Sequence, residues 1–517
     1  MKKLFLSIIT LIFTMLVIVS CNGNGGNDTT FEVIEYVDGV EATAPVEKGN
    51  YVVYVKPSDD SKWFAWDYDA WFIKDADPAL DYSVYFFSVD ALFDSAEALK
   101  AADNVTSDML VGIKSYHAGL GRGAAIFDIL DKKVTEAGTL TIAELSLSAR
   151  VVPFSVNDEK IITVEQFGAY GDGEHYDNSR INIAFKYEGS NVVEFESPVY
   201  LQDDAILLKH GDVRVNAKNA EIHNRYDKTV VLKDFSVSGS SEDDRIKNII
   251  IENLTLVCTE KRGEGHLYVN TSHGQFLASY VDGITVRNCT FYIPPTEEGE
   301  PYRNSSSVCF GSFTRNIVFE NNTIKNFSRS EGYGGGLFFT PGIGNLMDNV
   351  TVKNNRLEKC AHDEILTFYN GIFDNILVDG NTFETYDELV GFTSNQVIGF
   401  GAWDCPTTVR NAVFSNNKVD VVTLNNAIMF SDVDNIKIFD NEITVRNNSE
   451  SEPIRYGVFR ITYHEDNYHD AGIYPTQKNV EIYNNKVKVY NPNEVVLNYN
   501  CNEGFDFHDN SFEYIPS

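Results

Sequence analysis

Basic residues are scarce in this 517-residue chain: 42 Lys and Arg face 75 Asp and Glu, a formal charge of −33. So acidic a surface argues against nucleic acid and anionic lipid as partners. It also disfavours a polyanionic substrate, unless a cation bridges the two. Cysteine is sparse as well. The seven, at 21, 258, 289, 309, 360, 405 and 501, form no Cys-x-x-Cys pair and no Cys/His cluster at zinc spacing, so no metal site is read from them. Most lie in or beside apolar runs, where a buried free thiol is expected. Apolar runs of membrane-spanning length are missing too. The longest, Leu4–Val19 behind Lys2 and Lys3, is short for a span and reads as a secretory signal.

Directly after that run comes Ser20-Cys21, which resembles a bacterial lipobox. The resemblance implies cleavage before Cys21 and lipid on its sulfur, and residues 21–30 then read as a flexible tether. The expectation is an exported protein, anchored through lipid alone to the outer membrane at its periplasmic or cell-surface face. Loss of Lys2 and Lys3 takes the charge from −33 to −35.

One phrase recurs nine times: N/G-[apolar]-x-[apolar]-x-x-N-x-[apolar]. The copies start at Asn248, Gly283, Asn316, Asn349, Asn375, Asn411, Asn435, Asn479 and Gly504, separated by 35, 33, 33, 26, 36, 24, 44 and 25 residues. A fixed phrase with an irregular period means a repeating coil interrupted by loops of varying length. Within each copy the alternation is that of a strand, which cannot bury its face alone but forms a continuous core when stacked. The last seven copies carry Asn at the seventh position: Asn322, Asn355, Asn381, Asn417, Asn441, Asn485 and Asn510. In register, their amides would hydrogen-bond along the axis at a turn. The residue before each copy reads Lys247, Asp282, Arg315, Asp348, Asp374, Arg410, Asp434, Lys478 and Glu503. Seven of the eight neighbouring pairs have opposite sign, as coils stacked about 4.8 Å apart require. The chain is therefore expected to be all-β, a parallel β-helix of about nine or more coils over residues 159–517. A small β-rich domain over residues 31–158 precedes it, with Trp63, Trp66 and Trp71 as either a sugar platform or core.

Just upstream of the repeats lies ITVEQFGAYGDGEHYDNSRINIAF, residues 162–185. The string FGAxGDGxxxDN followed by a short helix resembles the entry of pectate-lyase-superfamily right-handed β-helices, among them polygalacturonases and viral tailspikes. The resemblance implies structural duties for Asp172 and Asp177, shaping the turn and the helix cap. It brings no active site with it. Arg245-Ile246-Lys247 precedes the first repeat, Gly263-Glu264-Gly265-His266 is not Gly-His-Gly, and neither Asn-Thr-Asp nor Asp-Pro-His occurs.

Candidate chemistry concentrates where strands preceding the phrase would floor a cleft. Only one begins with charge, His362-Asp363-Glu364 before Ile365-Leu366-Thr367-Phe368. If Leu366 and Phe368 point inward, Ile365 and Thr367 face the groove with Asp363 on their side; a one-residue slip exposes Glu364 instead. Asp348 and Asp374 would lie one coil apart, a like pair suited to a raised pKa or a bound Ca2+, although turn-making is the commoner duty of an Asp-Asn pair. One-coil and two-coil separations, about 5 and about 10 Å, match retaining and inverting glycosidases respectively. His273, Trp403, Arg460 and His464 are candidate substrate contacts at equivalent strands or in the longest insertion. No other cofactor is implied. The expected partner is a polysaccharide or oligosaccharide. The expected function is polysaccharide degradation, by hydrolysis or lyase chemistry, with a non-catalytic glycan-binding or adhesin-like role as the alternative.

Overall fold

The computed structural model describes residues 51–55, 63–67, 70–73, 86–156, 158–224, 233–258, 274–294, 307–326, 336–360, 365–385, 396–401, 406–423, 425–446, 454, 457–461, 476–491, 496–499 and 503–515. Two compact units emerge: one up to Gly171 together with Lys186–Glu196, the other Asp172–Phe185 with Ser197 onward. His362, Asp363, Glu364, His273, Trp403, His464 and Cys21 lie outside the described residues.

The first unit is β-rich. Tyr51–Val55, Trp63–Asp67, Ala70–Ile73 and Phe86–Val89 form a four-stranded antiparallel sheet in which Trp66 and Trp71 are cross-strand partners. Ala91–Ser95, Leu110–Ser115, Ala125–Leu130, Thr139–Ile142 and Leu147–Val151 form a five-stranded mixed sheet. At the end of this unit, Gly168 adopts φ +93°, and a Cβ there would meet the Tyr116 ring at 2.5 Å. Only glycine fits that position, which explains the Gly of the FGA string. Asp172, in the second unit, does shape its turn. Its carboxylate accepts from the N–H groups of Glu174 and His175 at 2.8 and 2.9 Å and contacts the His175 ring at 2.7 Å. Burial alone would raise its pKa, but those bonds bring it down to about 2. Asp177 stands at the N-cap of helix Asn178–Ala184, where its backbone carbonyl rather than its side chain closes the first turn.

The second unit is a right-handed parallel β-helix. Each full coil contributes a strand to a ten-stranded parallel sheet, then the phrase strand, then a short strand after the Asn corner. Both corners of the phrase are made by left-handed backbone. All nine first positions have positive φ, from Asn411 at 49° to Gly283 at 87°, and so do all nine sixth positions, from Asp509 at 52° to Gly380 at 70°. Gly, Asn and Asp tolerate that conformation, so the phrase is a record of backbone geometry as much as of side-chain contacts.

The seventh-position amides form the expected ladder. Each Asn Nδ2 from Asn322 to Asn485 donates to the Oδ1 of the next at 2.8–3.2 Å. Each backbone N–H from Cys289 onward donates to the same oxygens at 2.8–3.1 Å. Cys289 takes the seventh position two coils into the series. Its Sγ sits 3.7 Å from the Ile251 carbonyl, the interaction Asn322 makes with Val286. Burial pushes this thiol up to about 12, and Cys289, Cys309 and Cys360 are all buried. Beneath the ten-stranded sheet the core is an aromatic column. Phe185, Phe235, Phe276, Phe310, Phe339, Phe368, Phe400 and Phe430 succeed one another at centroid spacings of 4.9–6.0 Å. Rings one rung apart pack at the coil rise and bury the largest apolar area available per position.

Candidate functional site: the outer column of the ten-stranded sheet

The ten-stranded sheet runs through Ile206–Leu208, Lys233–Ser238, Gly274–Ser279, Ser307–Phe310, Leu337–Phe339, Leu366–Phe368, Gln396–Phe400, Asn426–Phe430, Phe459–Ile461 and Leu497–Tyr499. Its strands lack the phrase. In the described strands from Ile206–Leu208 to Phe459–Ile461 one register position faces outward between inward neighbours, and these positions, with Asn498 as the register partner of Arg460, form one column. That column reads Leu207, Ser236, Leu277, Cys309, Phe338, Thr367, Gly399, Met429, Arg460 and Asn498. Ten rungs extend about 43 Å, a straight array on the scale of an extended oligosaccharide.

Most candidates border strands of this sheet in sequence, although of these all but Arg460 lie outside the described residues. His273 directly precedes its third strand, His362-Asp363-Glu364 its sixth, and Trp403 closely trails its seventh; Arg460 is central in the ninth, with His464 shortly beyond. The alternation expected for Leu366 and Phe368 holds: both are fully buried, and Phe368 stacks between Phe339 and Phe400. The expected open groove does not hold at this rung. Ile365 and Thr367 are buried too, at 1% and 0% exposure, as are Leu277, Cys309, Met429 and Arg460, leaving Phe338 half-buried. The outward face is therefore covered rather than open over much of its length.

Three of the covered groups on the column are polar: Ser236, Thr367 and Arg460. Arg460 is 3% exposed, and the Thr367 hydroxyl is buried without a hydrogen-bond partner. An unsatisfied buried hydroxyl costs about 1–3 kcal/mol, and a valine would fill the same volume without that cost. A guanidinium and an unused hydroxyl three rungs apart on one column are donors of the kind that orient sugar hydroxyls or a carboxylate.

Asp348 and Asp374 are placed elsewhere. They are register partners on adjacent phrase strands, each just before a left-handed corner. Asp374 Oδ1 accepts from the Asn375 N–H at 2.9 Å and from Asn411 Nδ2 at 2.7 Å, and Asn349 Nδ2 contacts Asp348 Oδ2 at 3.3 Å. One oxygen of each is engaged by N–H donors, and two carboxylates fall far short of the six to eight oxygens Ca2+ takes. Among the described residues no group of three or more His, Cys, Asp and Glu side chains is arranged to hold a metal. Asp374 is on strand Gly371–Asp379, in a different sheet from strand Leu366–Phe368. The structure does not bring these two aspartates to the outer column.

The coils also line up a second acidic array that the sequence motifs do not flag. Glu358, Glu384 and Asp420 occupy one register column on three successive short strands, half-buried. Lys325 approaches Glu358 at 3.7 Å, Arg356 pairs with the same carboxylate, and Arg446 pairs with Asp420 at 2.8 Å. The available signal is the third residue after each ladder Asn, an acid in those three copies.

No protein-family model matches the chain, and no curated protein matches it. Solved structures similar to it include the tailspike protein of Acinetobacter baumannii phage AM24, at 13% identity and TM-score 0.44, covering 78% of this chain and 65% of that one. The enzymatically active domain of bacteriophage CBA120 tailspike protein 2 matches at 13% identity and TM-score 0.33, covering 77% and 56%. The Streptococcus pneumoniae surface protein and adhesin PfbA matches at 14% identity and TM-score 0.39, covering 68% and 100%. The chain thus spans about half to two thirds of the length of those two tailspikes.

Proposed function

We propose that this protein acts on a polysaccharide laid along the outer column of the ten-stranded sheet, as an exported lipoprotein anchored through Cys21. The observation that carries the reading is the pairing of buried Arg460 with the unpartnered Thr367 hydroxyl on one column, flanked in sequence by the candidates from His273 to His464. A covered face admits a polymer only where it opens, and the half-buried Phe338 lies one rung from Thr367 on the same column. Asp363 or Glu364 serves as the acid or base for glycosidic cleavage, with His362 or His273 as the base if the reaction is an elimination. Arg460 then neutralises a uronate carboxylate or holds hydroxyls.

The test is a product screen of the protein against a polysaccharide panel, with and without Ca2+, beside the Asp363→Asn/Glu364→Gln double variant and Arg460→Ala. Cleavage lost in the double variant supports the centre at residues 362–364; unsaturated products identify a lyase and plain reducing ends a hydrolase. A second reading is favoured by the acid column, since Glu358 and Asp420 sit two rungs apart, about 10 Å, with Glu384 between them. Activity that survives the double variant but disappears in Glu384→Gln moves the chemistry to that column. Retention on one glycan without cleavage leaves the adhesin-like role.

A further inference from the structure

The outward face of the phrase strands changes sharply in composition along the helix. Third-position residues Ile250, Thr285, Val318, Thr351, Leu377 and Val413 stack in one register column, all half-buried. Arg214 bounds the column on one side and Lys437 on the other. Six consecutive rungs of apolar or β-branched side chains, ended by charge at both limits, make a discrete strip rather than a solvated surface.

The charges beside the strip alternate in opposite phase. Lys247 and Glu252 flank the first rung and Asp282 and Arg287 the second; Arg315 and Glu320 flank the third, Asp348 and Lys353 the fourth. In four consecutive rungs the two ends of one strand therefore carry opposite signs. We propose that the strip is a homodimer interface, with two copies packed phrase face to phrase face about a twofold axis parallel to the helix axis. That operation sets each rung against the same rung of the second copy with its ends exchanged. Asp282 then meets the partner's Arg287, and Arg315 the partner's Glu320, with the apolar column in the middle; Glu252 is buried and held by Arg214 and Arg287 of its own chain. At the fifth rung Asp374 meets the partner's Asp379. These two carboxylates are already engaged by Asn411, Ser415 and Asn416. An antiparallel arrangement centred on the strip would instead put Lys247 against the partner's Arg410 and Asp282 against the partner's Asp374. Charge complementarity selects the parallel pair.

The strip is about 16 Å by 29 Å from strand and coil spacings, so two copies cover close to 1,000 Å², the lower bound for a specific interface. The interface is independent of what the protein does to a glycan.

Sedimentation of the full chain from about 1 to about 100 µM should show a species of twice the 58.0 kDa chain mass. Val318→Glu/Leu377→Glu, outward on the strip, should weaken association by about 100-fold or more with an unchanged melting temperature. Thr351→Cys treated with a short bismaleimide should give a covalent dimer that wild type does not form, because Thr351 faces its own copy across the twofold at a sheet separation of about 10 Å, too wide for a direct disulfide. A monomer at the highest concentration overturns the proposal, as does a trimer. So does a dimer that persists in the double variant, or one in which Thr351→Cys does not cross-link. A monomer whose glycan retention falls in the double variant would make the strip a ligand face and overturn it equally.

Discussion

The phrase strands and the ten-stranded sheet stack the same coils by different means. At the Asn corner the stacking unit is polar: each amide is consumed above and below, and the backbone is left-handed on both sides of the strand. In the ten-stranded sheet the stacking unit is apolar, a file of phenylalanine rings one rung apart. The polar corner tolerates few residue types, so it repeats. The aromatic file asks only for bulk on the inward side, so its outward column is free to vary from Leu277 to Thr367 to Arg460. Repetition marks where geometry dictates the residue; variation marks where chemistry can be placed.

That contrast can be broken in descending order of effect. Phe368→Ala removes a fully buried ring with neighbours on both faces and should cost about 3–5 kcal/mol in denaturant unfolding. Phe368→Leu should cost clearly less, since the inward position requires bulk. Asn381→Ala leaves the Asn355 amide and backbone donors of its own rung without their acceptor, a loss of about 3 kcal/mol or more. Asn381→Asp should not rescue it, because a carboxylate accepts but cannot donate onward to Asn417. At the neighbouring corner, Asn375→Ala forces a Cβ-bearing residue without a local hydrogen bond into left-handed backbone and should cost about 1–2 kcal/mol. Asn375→Gly should cost little or nothing. Equal losses for alanine and glycine there would show that the side chain, not the backbone, fixes the corner.

Thr367→Val sharpens the comparison from the other side. It should leave stability unchanged or raise it, because an unpartnered hydroxyl is exchanged for a methyl group. Glycan turnover or retention should nevertheless drop severalfold. A variant that is both less stable and fully active would make Thr367 structural and remove the main support for the outer column as the site.

The smallest effect belongs to the entry turn. Asp172 has a folded pKa near 2, below the ordinary carboxylate value. Its contribution is complete above about pH 4 and is lost as pH falls from about 4 toward 2. Asp172→Asn should flatten that part of the stability profile while leaving the profile above pH 5 parallel to wild type.

Everything that recurs in this protein was determined by sequence alone. The fold class, the ladder from Asn322 to Asn510 and the alternating charge column are legible from spacing, because a stacked coil brings identical positions together at a fixed rise, while the structural duty of Asp172 is what the resemblance of its string implies. Even the Gly-for-Asn exchanges at 283 and 504 read as a shared backbone need. Tertiary structure decided what depends on the facet each residue occupies. It placed Asp348 and Asp374 at a corner of the phrase strands, away from the ten-stranded sheet, and it buried Ile365 and Thr367 where strand alternation alone implied an open groove. It also lined up Glu358, Glu384 and Asp420, 26 and 36 residues apart in sequence, because loops of unequal length hide a register that only the coils enforce. Alternation says which side of a strand a residue leaves from; only the packed coils decide whether that side meets water, another chain or a covered floor.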